Sequence, residues 1–258
     1  MTSPDGMQSN RREFLAGTRP GDRSQMPMET TDEVEIPRAS DTLRIQTQAM
    51  ACQFAVFLDA DRRDRLEAAS SVLESVHELE ALMTVYRSDS PMAQANATAA
   101  ESEAVLEKSL FEVVSLACQV AEETGGRFDP TTGSLIELWR NARAMGQVPD
   151  DREVQRVRDL GTLDDVVLDV EAGSLRYERS GVEMNLGGIG KGFALDQIAG
   201  DLQAAGVDSF LLHGGHSNLL ARGNHAALAG WPVGIRNPLF PTRRLATLLL
   251  TEGAMSTS

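Results

Sequence analysis

The chain has 258 residues, of which 41% are hydrophobic, and it carries a formal net charge of −14 at pH 7. This length and apolar content suffice for a sizeable hydrophobic core. The negative charge argues against a nucleic-acid-binding surface and disfavours contact with an anionic membrane face. The sequence contains no apolar stretch long enough to span a membrane. These features indicate a globular protein that binds no nucleic acid and does not span a membrane.

The N-terminal segment, residues 1–40, combines prolines with mixed charges and shows no hydrophobic period. This composition predicts a disordered segment that precedes a folded domain at 41–258. Arg11 and Arg12 are similar to the arginine pair of a twin-arginine export signal, but the residues that follow are polar and lack an apolar core. The sequence therefore favours a cytoplasmic protein, and export is the alternative.

Ordered patterning begins with a strand predicted at 42–58, and a helix is predicted at about 65–85, where apolar residues recur every three or four positions. The polar stretch 87–102 is predicted to be a loop. Further elements are a helix at 104–124, a hairpin formed by 165–170 and 174–178, and strands at 182–184, 209–212, 233–236 and 246–250. Helices interspersed with hairpins, without regular β-α alternation, indicate an α+β fold.

The most informative segment is a glycine-rich run at 183–196, Glu-Met-Asn-Leu-Gly-Gly-Ile-Gly-Lys-Gly-Phe-Ala-Leu-Asp. It joins a short strand to a helix-period segment that ends at Gly206. Glycines let the backbone approach a ligand closely, a helix N-terminus offers N–H groups to an anion, and Lys191 adds a positive charge. The run matches neither a P-loop, because Gly192 stands where a hydroxyl residue is needed, nor a dinucleotide-binding G-x-G-x-x-G. It predicts a phosphate-binding loop, and a tight turn with glycines for packing is the alternative.

The sequence of this run resembles the D-L-G-G-I-A-K-G-Y-A-V-D segment of the ApbE family, the FAD:protein FMN transferases. Four further segments resemble family motifs in the same order: 48–58 (M-G-T-x-F), 79–96 (L-s-x-Y-x-x-D-S, then N), 124–139 (T-G-G-x-F-D-P-T-v-G-P-L, then W) and 207–238 (G-G-d, then W-x-V-G-I-r-d-P). One such match is weak evidence, whereas five in sequence are specific. The resemblance extends from about residue 42 to residue 258.

The resemblance implies an α+β fold, related to the T-fold, in which helices pack on antiparallel sheets around a flavin cleft. It also implies a reaction in which FAD is cleaved at its pyrophosphate with the help of Mg²⁺. AMP leaves, and FMN is esterified to a threonine hydroxyl of a target flavoprotein. The positions implied to contact FAD are Met50, Tyr86, Arg127, Phe128, Asp129, Asn185 and Lys191, and the carbonyl of Gly188 is implied to bind the metal.

Several of these positions have a purely structural alternative. Tyr86 and Met50 could pack in the core. Asp129 begins an Asp-Pro-Thr sequence that is ordinary turn chemistry. Asn185 stands where the family has aspartate, so it could hold a ribose hydroxyl or a flavin edge but could not act as a base. It could also cap the turn.

His213 and His216 bracket two glycines, and their spacing fits no standard metal site. The family usually has aspartate directly after this glycine pair, so local substrate contacts differ here. Cys52 lies in a strand pattern and Cys118 in a helix pattern. A disulfide between them is not expected, because a chain this large does not need one.

The sequence up to Ser258 has no counterpart of the family's last part. That part carries an H-x-x-D-P-x-T-G segment and the aspartate and threonine side chains that bind the metal. The expectation is therefore a fragment, incomplete at the C-terminus, that contacts part of FAD and transfers FMN poorly. The alternatives are a non-catalytic FAD-binding module and a protein-interaction scaffold with an empty cleft.

Overall fold

A computed structural model of the chain describes residues 41–215, 217–240 and 242–257. The predicted disordered segment 1–40, with its arginine pair, lies outside the described residues. The helices and strands follow one another in this order: β1 (Thr42–Ala49), β2 (Cys52–Asp59), α1 (Leu66–Glu74), α2 (Val76–Met83), α3 (Pro91–Thr98), β3 (Ala104–Val105), α4 (Lys108–Glu123), α5 (Gly133–Ala144), α6 (Asp151–Arg158), β4 (Val166–Asp169), β5 (Ser174–Tyr177), α7 (Gly190–Ala204), β6 (Phe210–Gly214), β7 (Asn218–Arg222), β8 (Trp231–Arg236), β9 (Arg244–Leu250) and β10 (Gly253–Ser256).

The main sheet has five antiparallel strands in the order β1-β2-β6-β7-β10. Helices α1, α2 and α7 pack against one of its faces. Side chains alternate between the two faces of a strand, so every second residue of β2 and β6 points into this core. The buried residues on this face include Phe54, Val56, Leu58, Phe210 and Leu212. Two smaller antiparallel sheets, β3-β5-β4 and β8-β9, complete a mixed structure that confirms the α+β prediction.

The strand predicted at 42–58 is two strands, β1 and β2, that form a hairpin. Ala49 pairs with Cys52, so only Met50 and Ala51 make the turn. Both turn residues have positive φ, 51° and 57°. Two-residue hairpin turns of this kind usually contain glycine or asparagine. The prediction of a single strand was wrong because neither residue signals a turn.

The helix predicted at 65–85 is interrupted at Ser75, which separates α1 from α2. The Ser75 hydroxyl donates a hydrogen bond to the Val72 carbonyl at 2.7 Å. Serine side chains that bond to the preceding turn compete with the helical backbone and bend or end a helix. The break therefore has a local cause that apolar periodicity does not reveal.

The polar stretch 87–102 was wrongly predicted to be a loop, because it contains α3. Ser90 caps this helix by accepting a hydrogen bond from the Ala93 N–H at 3.3 Å, and Pro91 occupies its first turn. Serine at the N-cap and proline at the next position are both favourable at a helix start. The prediction missed α3 because alanine, glutamine, asparagine and threonine dominate it and give no apolar stripe.

Two other predictions need correction at their boundaries. The helix expected from residue 104 begins at Lys108, and Glu107 caps it by accepting the N–H groups of Ser109 and Leu110. The two residues at the expected start form strand β3, which pairs with β5. The strand expected at 182–184 is reduced to one isolated parallel bridge between Glu183 and Thr132.

The hairpin of β4 and β5 and the helix α7 confirm the sequence predictions. The four residues predicted to share the buried face of α7 are all buried: Leu195, Ile198, Ala199 and Leu202. Strands β6, β8 and β9 overlap the predicted ranges, each with a longer extent. Within the described parts of the chain, no helix combines the length and hydrophobicity needed to cross a membrane.

In addition to the Cys52 thiol, two ionisable side chains at the core have raised pKa values, which makes stability depend on alkaline pH. Burial, with a smaller contribution from the Glu122 carboxylate, raises the pKa of the Cys118 thiol from 9.0 to about 11. Burial also raises the pKa of the Tyr177 hydroxyl. As the pH rises above 9.0, the unfolded chain loses these protons before the folded chain does. The unfolded state is then favoured progressively.

We therefore expect the free energy of unfolding in urea to fall as the pH is raised from 9.0 to about 11. Cys118→Ala removes one of the two groups, so its free energy of unfolding should fall less steeply over the same range. Slopes that are equal in the wild type and the variant would contradict the assignment of this effect to Cys118.

Candidate functional site

The glycine-rich run forms an exposed loop at the N-terminus of α7. The N–H groups of Ile189 and Gly190 both donate to the Leu186 carbonyl, at 3.0 and 2.7 Å, which closes the loop on itself. Gly187 and Gly188 are exposed. No side chain in the described residues caps α7. The first-turn amides of this helix are therefore suited to binding an anion.

Asn185 stabilises this loop through a side-chain hydrogen bond. Its side chain is buried, and Oδ1 accepts a hydrogen bond from the Gly187 N–H at 2.9 Å. Its own backbone N–H donates to the Pro130 carbonyl at 2.8 Å. The structure thus shows the turn-capping role, and a contact from the side-chain NH₂ group to a ribose or flavin stays a prediction.

Phe128 packs directly against the loop. A Cβ added at Gly188 would lie 3.0 Å from Cε2 of Phe128, which is closer than ordinary van der Waals contact. Glycine at this position therefore lets the ring and the backbone approach each other. The sequence predicted that Phe128 contacts FAD and that the Gly188 carbonyl binds the metal, and the fold brings these two residues together.

Tyr86 is 63% exposed, so the alternative that it packs in the core is wrong. The Arg140 guanidinium lies 4.8 Å from the centroid of the Tyr86 ring and makes a cation–π contact with it. Tyr86, Arg140 and Asn185 line one small cleft of about 170 Å³. Arg140 was not predicted as a site residue, because this arginine lies on α5, a helix that the sequence did not predict.

Met50 lies in the turn between β1 and β2, and Lys191 lies in the first turn of α7. Met50 is half-buried in the β1–β2 turn and packs against the core. Burial raises the pKa of the adjacent Cys52 thiol, and the positive charge of Lys191 opposes part of that rise. A flavin contact from Met50 stays a prediction.

Arg127 and Asp129 make local contacts. Arg127 is exposed, and its guanidinium donates to the Thr124 carbonyl at 3.3 Å. One carboxylate oxygen of Asp129 accepts from the Thr131 N–H at 2.8 Å and from the Thr131 hydroxyl at 2.6 Å. This is the turn chemistry that was the alternative reading of Asp129, and a contact of either residue with FAD stays a prediction.

The described residues do not fit a complete magnesium site. They contain no group of three or more His, Cys, Asp or Glu side chains that could hold a metal ion. The Gly188 carbonyl offers one oxygen, whereas Mg²⁺ requires a near-octahedral shell of oxygens. His213 lies in β6, and the possible pair with His216 stays untested because His216 lies outside the described residues. Cys52 and Cys118 are both free thiols.

A cavity of about 1170 Å³ is a separate feature. It lies on the face of the main sheet opposite the helices, beside the β8–β9 ribbon. None of the eight predicted site residues lines it. Size alone would make it the first choice for a ligand site, but the glycine loop, Phe128 and the Tyr86 cleft are gathered elsewhere. We therefore place the candidate site at the glycine loop.

Comparison with known proteins decides the family. The model of the ApbE family matches residues 42–258. The chain belongs to the ApbE family. Among curated ApbE proteins, it is 28% identical over 202 residues to the FAD:protein FMN transferase of Treponema pallidum, covering 72% of this chain and 55% of that protein. It is 26% identical over 185 residues to the enzyme of the same name from Klebsiella pneumoniae, covering 72% and 56%. The chain thus spans about half the length of these relatives.

Solved ApbE structures share the fold. The crystal structure of the ApbE protein from Thermotoga maritima matches with a TM-score of 0.74 at 21% identity, covering 83% of this chain and 69% of that one. The flavin transferase ApbE from Vibrio cholerae matches with a TM-score of 0.68 at 20% identity, covering 83% and 70%. These likenesses confirm the ApbE architecture of antiparallel sheets with packed helices.

Proposed function

We propose that this chain binds FAD at the glycine loop and acts as an FAD:protein FMN transferase. In this reaction, FMN passes to a threonine hydroxyl of a target flavoprotein, and AMP leaves. The observation that carries the proposal is the start of α7, which contains Lys191, has no side-chain cap and follows the exposed Gly187 and Gly188, in a chain whose relatives bear this name.

The chemistry of the loop suits a pyrophosphate. Cleaving this group requires that negative charge on its oxygens be neutralised as the phosphorus–oxygen bond breaks. Backbone N–H groups at the start of α7 would bind those oxygens, and Lys191 would add a mobile point charge. Asn185 keeps the loop in place through its bond to the Gly187 N–H. Little of this arrangement has to reorganise when the ligand binds.

The exposed ring of Tyr86 provides a flat surface beside the same loop. Aromatic rings of this kind stack on planar ligands such as flavins. Arg140, which lies over this ring, adds a cation that would pair with the carbonyl oxygens or the phosphate of the nucleotide. This pairing is part of the proposal and assigns a function to a residue that the sequence motifs do not include.

A magnesium ion, with the Gly188 carbonyl as one of its ligands, is also part of the proposal. It would supply positive charge at the phosphates. Because the described residues do not form a complete shell for this ion, we assign no step of the reaction to it.

The test is an assay for FAD binding and AMP formation with the purified chain. We expect the fluorescence of FAD to change on titration with the protein, and we expect chromatography to detect AMP when magnesium chloride and a hydroxyl acceptor are supplied. FAD incubated without protein serves as the control. Intact FAD that stays bound would contradict transfer and support a binding module, and no binding at all would contradict the proposal as a whole.

A further inference from the structure

Asn96, on α3, makes three hydrogen bonds with residues distant in sequence. Its Nδ2 donates to the Met184 carbonyl at 2.9 Å, and its Oδ1 accepts from the Met184 N–H at 3.0 Å. The same Oδ1 also accepts from the Tyr177 hydroxyl at 2.6 Å. One side chain therefore satisfies both polar groups of residue 184, although 88 residues separate the two positions.

This pattern is what a neighbouring β-strand would supply. At a hydrogen-bonded pair of an antiparallel sheet, one residue of the partner strand exchanges both N–H and C=O bonds with the residue opposite. Here the asparagine amide, which combines a donor and an acceptor at one end, takes the place of that residue. The other edge of the same segment is held by backbone groups. The Glu183 carbonyl accepts from the Gly133 N–H at 2.9 Å, next to the bond from Asn185 to Pro130 described above.

The segment that Asn96 fixes leads directly into the candidate site. Met184 precedes Asn185, whose side chain caps the Gly187 N–H. At its other end, α3 is capped by Ser90, whose hydroxyl bonds to the carbonyls of Thr84 and Arg87 on either side of Tyr86. Tyr86, Asn96 and Asn185 line the same small cleft. Asn96 thus connects the segment around Tyr86, to which α3 is attached through Ser90, with the glycine loop, which begins directly after Met184.

We propose that Asn96 is a positioning residue that holds the start of the glycine loop in place through the backbone N–H and carbonyl of Met184. Without it, the Met184 N–H and carbonyl lose the side chain that bonds to both of them, and the start of the loop gains freedom that must be lost again on binding. The link to FAD rests on the proposed function, whereas the effect on the loop does not depend on it.

Asn96→Ala tests the proposal by two measurements on the full chain. Amide hydrogen exchange at residues 184–188 should become about tenfold faster, and FAD should bind about tenfold more weakly. A tenfold change corresponds to about 1.4 kcal/mol, which lies within the range that losing a hydrogen bond contributes. Exchange in the β8–β9 ribbon, which is a separate sheet, should change less than in the loop.

Tyr177→Phe is the matched control, since it removes another bond to the same Oδ1. Asn96 keeps both bonds to Met184 in this variant, so we expect a lower melting temperature but exchange at 184–188 and FAD affinity within about twofold of the wild type. A purely structural role would lower stability in both variants and leave FAD affinity unchanged in both.

Asn96→Asp tests the donor alone, in case the alanine variant does not fold. The carboxylate can still accept from Met184 and Tyr177, but it places a second acceptor against the Met184 carbonyl. We expect FAD to bind about tenfold more weakly, with the Met184 N–H still protected from exchange.

Unchanged FAD affinity in a folded Asn96 variant would overturn the proposal, and so would an equal loss of affinity in Tyr177→Phe. If the wild-type chain binds no FAD, the proposed function fails, and exchange alone decides about Asn96. Faster exchange confined to 184–188 then supports positioning of the loop, and a uniform increase throughout the chain overturns it.

Discussion

Replacing Lys191 with alanine is expected to weaken FAD binding by about ten- to a hundredfold and to leave the free energy of unfolding nearly unchanged. A hydrogen bond to a charged group contributes about 1.5–3 kcal/mol, which corresponds to that range of affinity. Lys191 is only half-buried and forms no ion pair with any described residue. Its loss should therefore affect the ligand and not the fold. Fluorescence titration with FAD and unfolding in urea measure the two quantities.

The chain offers a matched control, because Lys108 is its only other lysine. Lys108 begins α4, its side chain is 86% exposed, and it lies 3.8 Å from Glu112. Lys108→Ala makes the same change in net charge without touching the site. Equal losses of affinity in the two variants would show that overall charge, and not the position of Lys191, governs binding. Lys191→Arg should keep part of the affinity, because it keeps the charge but changes its shape.

Gly133→Ala is expected to destabilise the protein by about 2–5 kcal/mol. A Cβ at this position would lie 2.5 Å from the Glu183 carbonyl oxygen and 2.9 Å from the Glu183 Cβ. The Gly133 N–H donates to that same oxygen, so the clash would also break the hydrogen bond. Because the clash is with backbone, no side-chain rotation can relieve it. Unfolding in urea, followed by circular dichroism, measures the loss.

Gly200→Ala is the corresponding control within α7. A Cβ there meets no atom within 4 Å. Alanine is favoured over glycine in a helix by about 1 kcal/mol, so this variant should be as stable as the wild type or more stable. A Gly133→Ala protein with wild-type stability would show that the segment 183–185 is not held against residues 130–133 as the structure describes.

Local sequence signals predicted the parts of the fold in which structure is decided locally. Helix α7 has a continuous apolar face and stops before a glycine, and the β4–β5 hairpin surrounds a turn that contains Gly173. The errors arise where tertiary contacts decide. The Met50–Ala51 turn has no turn-forming residue, and β3 is a strand only because β5 lies beside it.

The candidate site divides in the same way. The glycine loop and Lys191 could be predicted, because spacing and residue type carry their chemistry. Arg140 could not, since its place over Tyr86 depends on how α5 packs. Asn96 belongs to a recognised motif, but its role depends on a contact with a residue 88 positions away, which no single-sequence pattern reveals.

The two tyrosines differ in solvent exposure, and this difference provides a way to detect a ligand in the cleft. Tyr86 is 63% exposed at the cleft, whereas Tyr177 is 2% exposed, and the sequence contains no third tyrosine. A reagent that nitrates phenol rings in solution would therefore label the folded protein at Tyr86. A ligand bound in the cleft would cover Tyr86 and lower the yield of this modification, so the yield measures ligand binding without an engineered probe.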